Sequence, residues 1–211
     1  MQKKPSPKPH GAPRLAPRQV RIIGGAWKRA LLPVLDAEGL RPTPDRVRET
    51  VFNWINHQLP GDWDASAFLD LFAGSGALGF EAASRGAASV TMVDNHGAAA
   101  RQLEANRDKL KASNVTVLRA DALHLARDLA ARGQRFDVIF ADPPYQLGLL
   151  SQVLPLCRPL LKEGGMVYAE TGEALPLEGE LPDWLAGWDA VRADKAGMVY
   201  YYLLKPQASA A

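Results

Sequence analysis

Residues 136–145 read Phe-Asp-Val-Ile-Phe-Ala-Asp-Pro-Pro-Tyr, and this stretch constrains the fold more than any other. Val138, Ile139, Phe140 and Ala141 form a run that is apolar on both faces, as a strand inside a parallel sheet must be. Pro143 and Pro144 end it, because proline fixes its own φ and has no N–H for a ladder. The pattern places Asp142, a stiff turn and the Tyr145 ring at the carboxyl end of a central strand. Open α/β sheets bind ligands at that end. The tetrapeptide suits a flat base with an exocyclic amino group. Asp142 and the Pro143 carbonyl can each accept one amine hydrogen, and Tyr145 can pack on the ring. The plainer reading is a turn that ends a strand.

Around this strand the sequence alternates. Strands are expected at 68–72, 89–93, 115–118, 136–141 and 165–170. Helices are expected at 78–84, 98–111, 123–131 and 147–161, the last kinked at Pro155. Alternating units require a parallel sheet with helices on both faces. The end differs: 188–192 and 198–204 are β-rich and separated only by 193–197. So short a link cannot make a parallel crossover, so an antiparallel hairpin is expected. The expected fold is α/β, a Rossmann-like sheet of seven strands, mostly parallel and closed by that hairpin. Many class I methyltransferases have this architecture.

At 211 residues, 47% apolar and 23% charged, the chain reads as one ordinary globular domain. It has neither an apolar run of about eighteen residues nor an apolar N-terminal segment, so no membrane span and no secretory signal are expected. The single cysteine, Cys157, lies among Leu154, Leu156, Leu160 and Leu161 and reads as a core residue. A reducing cytoplasm and a monomer are expected. His10, His57, His96 and His124 lack ligand spacing, so no metal site is expected.

The charge is unevenly spread. Residues 1–29 hold Lys3, Lys4, Lys8, Arg14, Arg18, Arg21, Lys28 and Arg29 and no acid. Taking those 8 from the +2 of the whole chain leaves −6 for the remainder. A basic arm on an acidic body is the footprint of a nucleic-acid binder, or else a solubilising tail. Residues 1–19, rich in Pro and Lys, are expected to be a disordered arm, and 206–211 a disordered tail. Residues 20–60 read as an RNA-facing extension, with 61–205 the main domain. Its first part is a β-hairpin around Gly24-Gly25, with Lys28 and Arg29 exposed. Trp27 can stack on a base or staple the hairpin to the body. A helix then opens with Thr43 as N-cap and Pro44 at its first position. Val47, Val51, Trp54, Ile55 and Leu59 form its apolar stripe, opposite Arg46, Arg48, Asn53 and Asn56. The charge-dense 41–49 segment, Arg41 included, is expected to line an entrance for cofactor or RNA.

Gly74-Ser75-Gly76-Ala77-Leu78-Gly79 matches G-x-G-x-x-G between a strand and a helix, and Asp94 follows Gly74 by 20 residues. That spacing fits a dinucleotide with a ribose-binding acid. Three features argue for another cofactor. Asp70 stands four residues before Gly74, where a pyrophosphate would meet a like charge. S-adenosylmethionine, with its sulfonium and α-amino group, would welcome that carboxylate. Asp121 follows the third strand, placed to accept from an adenine amine or to cap the next helix. Asp142-Pro143-Pro144-Tyr145 offers an amine cradle and no hydride geometry. The expected cofactor is S-adenosylmethionine, held by Asp70, Phe72, Ala73, Gly74, Ser75, Gly76, Asp94, Asn95, Asp121, Ala122 and Asp142.

Four segments occur in order: 21–28 (Arg-Ile-Ile-Gly-Gly-Ala-Trp-Lys), 41–50 (Arg-Pro-Thr-Pro-Asp-Arg-Val-Arg-Glu-Thr), 70–79 (Asp-Leu-Phe-Ala-Gly-Ser-Gly-Ala-Leu-Gly) and 142–145. Together they resemble the bacterial 16S ribosomal RNA guanine-N2 methyltransferase family, the RsmD type, over about residues 20–205. The glycine-rich and Asp-Pro-Pro-Tyr motifs are shared with other amino methyltransferases; the first two segments single out this family. The arm at 1–18 and Ala30 depart from its pattern. The resemblance implies methyl transfer to one guanine's exocyclic amine in small-subunit rRNA, on an assembled or assembling particle. Asp142, Pro143 and Tyr145 would be the catalytic residues. Arg21, Trp27, Lys28, Arg29, Arg41, Arg46 and Arg48 would face RNA. The alternatives are an adenine-N6 or cytosine-N4 methyltransferase, a protein glutamine methyltransferase, or a non-catalytic RNA-binding assembly factor.

Overall fold

The computed structural model describes residues 19–34, 43–59, 63–144 and 148–207. Tyr145, Arg41, the arm at 1–18 and residues 208–211 lie outside them. A two-stranded antiparallel sheet, β1 (Gln19–Arg21) and β2 (Leu31–Pro33), precedes helix α1 (Asp45–Gln58). The main sheet contains β3 (Ala67–Asp70), β4 (Ser89–Asp94), β5 (Val115–Arg119), β6 (Phe136–Ala141), β7 (Leu161–Thr171), β8 (Trp188–Ala196) and β9 (Val199–Pro206). Its order is β5-β4-β3-β6-β7-β9-β8. The first five strands are parallel, and β9 runs antiparallel to both β7 and β8. Helices α2 (Ala77–Ser84), α3 (Gly97–Leu110), α4 (Ala122–Ala131) and α5 (Leu150–Cys157) join the parallel strands. This is the expected seven-stranded architecture, with β6 in the middle.

Side-chain alternation divides the sheet into two cores. Phe68, Met92, Val138, Phe140, Met166 and Tyr168 face one side, where α1, α2 and the N-terminal hairpin pack. Leu69, Val93, Ile139, Ala141, Val167 and Ala169 face the other, under α4 and α5. On the first side α1 buries Val47, Val51, Phe52 and Ile55 completely or nearly so. Each such side chain contributes roughly 1.5–3 kcal/mol by leaving water. Phe52 stands 5.9 Å from Phe140, so the extension shares one core with the sheet.

Several boundaries differ from expectation. Helix α1 starts at Asp45, and Thr43 does not cap it. The Thr43 hydroxyl points elsewhere, to Glu170. Helix α5 is shorter than 147–161: it ends at Cys157, two residues beyond Pro155, in a 3-10 turn over 158–160. Proline had removed an N–H from the helical ladder. Gln19 pairs in β1 and Pro206 ends β9, so neither belongs to a disordered terminus. Burial pushes the Cys157 thiol up to about 12, as befits an inert core residue.

Candidate active site

The glycine-rich turn links β3 to α2. Each glycine has a separate task. Gly74 takes φ 48° and its amide donates to Asp94 Oδ2 at 2.9 Å. Gly76 takes φ 80°, and a Cβ there would strike Phe80 and Leu103. Gly79 lets α2 lie against Met92 of β4, and its amide donates to Asp70 Oδ2 at 3.1 Å. Phe72 and Gly74 are half-buried, Ala73 is buried, and the Ser75 hydroxyl accepts from the Ala77 amide at 3.3 Å.

Asp70 is 1% exposed, and its Oδ1 has no hydrogen-bond partner among the described residues. A buried lone carboxylate oxygen is costly unless a ligand completes it. Burial pushes this carboxyl up to about 7, against amide hydrogen bonds from Gly79 and Phe72, and the Asp94 charge adds to the rise. An ammonium or sulfonium group would satisfy it. That orphaned oxygen is what makes these residues fit S-adenosylmethionine rather than a pyrophosphate.

Asp94 ends β4; its Oδ1 accepts from the His96 amide at 2.8 Å. Asn95 beside it is exposed. Asp121 caps α4 through the His124 amide at 2.8 Å, which leaves its other oxygen open to solvent, and Ala122 begins the helix. Both roles considered for Asp121 are thus compatible.

Asp142 follows β6 directly, with Pro143 buried behind it. Register fixes its neighbours. Asp70 is level with Phe140, and Ala141 is level with Ala169, so Asp142 and Glu170 fall side by side on adjacent strands. Alternation turns Asp94, Asp70, Asp142 and Glu170 toward the α1–α2 side of the sheet. Four neighbouring strands therefore present four carboxylates at one edge. Burial, then the Glu170 charge, then the Asp70 charge drive the Asp142 carboxyl well above the usual carboxylate range. Sequence reasoning missed Glu170, although its polar side chain near the end of an apolar strand is the same signal that marked Asp142.

The RNA-facing candidates divide. Arg21, Lys28 and Arg29 line a cleft of about 360 Å³ together with Arg85, Asn53 and Glu49. Arg46 is exposed on α1. Trp27 is half-buried against the core and its amide donates to Ser84 Oγ at 2.9 Å, so it staples the hairpin to α2. Arg48 is a correction: it is 1% exposed and cannot face RNA. It donates to Asp45 Oδ1 at 2.6 Å, to the Thr43 carbonyl at 3.2 Å and to the Arg21 carbonyl at 2.8 Å, and stands 3.6 Å from Glu81. Glu81, fully buried on α2, also accepts from the Ile23 and Gly24 amides. The two motifs at 21–28 and 41–50 therefore meet around one buried acid.

Residues 20–205 match the family described as Conserved hypothetical protein 95. The chain is 42% identical over 192 residues to the ribosomal RNA small subunit methyltransferase D of Escherichia coli (strain K12), covering 90% of this chain and 91% of that protein. This chain belongs to the ribosomal RNA small subunit methyltransferase D family. A relative of the same name from Haemophilus influenzae is 39% identical over 189 residues, covering 88% of this chain and 93% of that protein. The solved structure described as putative methyltransferase yhhF from Escherichia coli superposes with a TM-score of 0.76 at 38% identity, covering 91% of this chain and all of that one. At 16% identity, a putative methyltransferase complexed with SAH shares the fold alone, with a TM-score of 0.65.

Proposed function

We propose that this chain transfers a methyl group from S-adenosylmethionine to the exocyclic N2 amine of one guanine in small-subunit (16S) rRNA. The observation that carries this reading is the adjacency of two cradles at one sheet edge. Asp70, with its open oxygen, suits a cationic cofactor. Asp142 and the Pro143 carbonyl, two strand positions away, suit an amine. When bound, S-adenosylmethionine supplies an electrophilic methyl group whose bond to sulfur breaks as the amine nitrogen bonds to carbon. The glycine turn admits the cofactor closely, Asp94 holds ribose hydroxyls and Asp121 takes the adenine amine. Asp142 and the Pro143 carbonyl accept the amine hydrogens and aim the nitrogen lone pair, a contribution of positioning. Asp142 then accepts the proton that the methylated nitrogen must lose. Tyr145 replaces the stacking partners that the guanine gives up on leaving its helix.

The substrate is rRNA in the small subunit or an assembly intermediate, reached by a monomer in the cytoplasm. The test is transfer of labelled methyl from S-adenosylmethionine to small subunits from a strain lacking the enzyme, followed by nucleoside mass spectrometry. Label in N2-methylguanosine is expected. Label in adenosine, cytidine or a ribosomal protein would overturn the reading.

A further inference from the structure

Glu170 is 3% exposed and stands in no role assigned above. Its Oε1 accepts two hydroxyl hydrogen bonds, from Thr43 at 2.9 Å and from Tyr168 at 2.6 Å. Thr43 reaches it across 127 residues of sequence, from the start of the N-terminal helix. A hydroxyl spent on helix capping would have been the ordinary use of a threonine before a proline. Here it is spent on a buried carboxylate at the sheet edge. Two donors on one oxygen fix that carboxylate in place. Register then sets it beside Asp142 on the neighbouring strand.

We propose that Glu170 is a positioning residue for Asp142: anchored by Thr43 and Tyr168 on the neighbouring strand, its carboxylate makes Asp142 the stronger acceptor for the amine proton. The inference rests on the reading of Asp142 as the residue facing the amine. In the reaction, nitrogen gains a bond to carbon and sulfur keeps the electron pair of the bond it loses. The positive charge that leaves sulfur arrives on the amine nitrogen. That nitrogen then gives one proton to an Asp142 oxygen. A second fixed negative charge beside Asp142 favours both the arriving charge and the proton's transfer. Among the described residues, the charges acting on Asp142 are Glu170 from β7 and Asp70 from β3. Asp94 on β4 acts in turn on Asp70. Glu170 sits level with Asp142 and carries the larger effect of the two.

The experiment compares the parent with Glu170→Gln, Tyr168→Phe and Thr43→Val. The Asp142 carboxyl carbon is followed by NMR across pH in the free protein, assigned with Asp142→Asn. Methyl transfer is measured at saturating substrates across the same range. In Glu170→Gln, loss of the neighbouring charge should move the Asp142 titration down by roughly one pH unit or more. The acid limb of kcat should move down with it, and kcat should fall by about tenfold or more. Cofactor affinity should stay at the parent value. Tyr168→Phe and Thr43→Val each withdraw one donor, so they should lower kcat by less. They also keep the proposal testable if Glu170→Gln fails to fold. Parent-like titration of Asp142 and parent-like kcat in these variants would make Glu170 a structural acid only. Full activity in Asp142→Asn would instead overturn the assignment of Asp142 itself and, with it, this inference.

Discussion

Asp94 accepts the Gly74 amide at 2.9 Å across 20 residues, so the acid expected to hold ribose also closes the loop that admits the cofactor. Its other oxygen holds the His96 amide. Each oxygen keeps a second lone pair for a hydroxyl. Asp94→Ala should lower S-adenosylmethionine affinity by roughly 1.5–3 kcal/mol, the range for hydrogen bonds to a charged group. Asp94→Asn keeps one acceptor and should fall between. Calorimetric titration decides it, and unchanged affinity in Asp94→Ala would remove this residue from the site.

Asp70 links stability to pH in an unusual direction. Its carboxyl lies at about 7 in the fold and near 4 in an unfolded chain. The folded protein thus binds the proton more tightly. The stabilisation is complete below about pH 4 and is lost as pH rises through about 7, amounting to at most about 4 kcal/mol. Asp70→Asn should flatten this dependence and raise the melting temperature at pH 8, while weakening cofactor binding. In the parent, cofactor affinity should rise between pH 6 and 8 as the carboxylate forms. The same rise in Asp70→Asn would assign the titration to another group.

The fold was legible because strand and helix signals alternate; the strand expected at 68–72 instead ends at Asp70, beside neighbours that end at Asp94 and just before Asp142. The spacing of Gly74 and Asp94 alone pointed to a dinucleotide; Asp70, Asp121 and the Asp142-Pro143-Pro144-Tyr145 turn moved the reading to S-adenosylmethionine. Arg48 was misplaced by its residue type. Arg48, Val51, Phe52 and Ile55 sit at i, i+3, i+4 and i+7, so periodicity alone puts Arg48 in the buried stripe. Glu81 was overlooked, although it is the one acid in a helix otherwise built of Ala, Leu, Gly, Phe and Ser. The bond from Thr43 to Glu170 had no local signal, since it joins residues 127 apart and competes with a helix cap.

Arg48 yields a stability prediction. Its removal leaves Glu81, fully buried, with Arg85 at 2.8 Å as its remaining cationic partner. It also unties Thr43, Asp45 and the Arg21 carbonyl. Breaking a buried pair from one side costs about 3–5 kcal/mol. Arg48→Ala should lose that much in urea unfolding. A loss below 1 kcal/mol would mean that this cluster does not hold the N-terminal motifs to the body.

Asp142→Ala should separate chemistry from binding. In its proposed role the residue faces the amine, so kcat should fall by about 10²–10⁴-fold with little change in cofactor affinity. Stability should not fall, because the substitution removes a carboxyl that is disfavoured beside the Glu170 and Asp70 charges. Loss of cofactor binding with intact turnover at saturation would contradict the assignment.

Arg29 separates stability from RNA binding most sharply. Its φ is 72°, in the left-handed region, where a side chain costs roughly 1–2 kcal/mol. The loop imposes this geometry: the Arg29 amide donates to the Ile22 carbonyl at 2.8 Å, and Ala30 to Trp27 at 2.9 Å. Among the described residues Arg29 makes no ion pair, and it lines the cleft with Lys28, Arg21 and Arg85. In the proposed reading the Arg29 side chain is placed by this loop to meet an RNA phosphate. In Arg29→Gly the relieved strain is offset by about 0.5–1 kcal/mol of extra chain entropy, so stability should hold or rise slightly. RNA affinity should fall, and the slope of log affinity against log salt should become shallower by about 0.7–0.9. Deleting residues 1–18, which removes Lys3, Lys4, Lys8, Arg14 and Arg18, should flatten the slope further. The methylated guanine should not change in either variant, because phosphate contacts position RNA without choosing its sequence. Affinity measured across a salt series for the parent and both variants decides the matter. A parent-like slope in Arg29→Gly would mean that this cleft does not hold RNA.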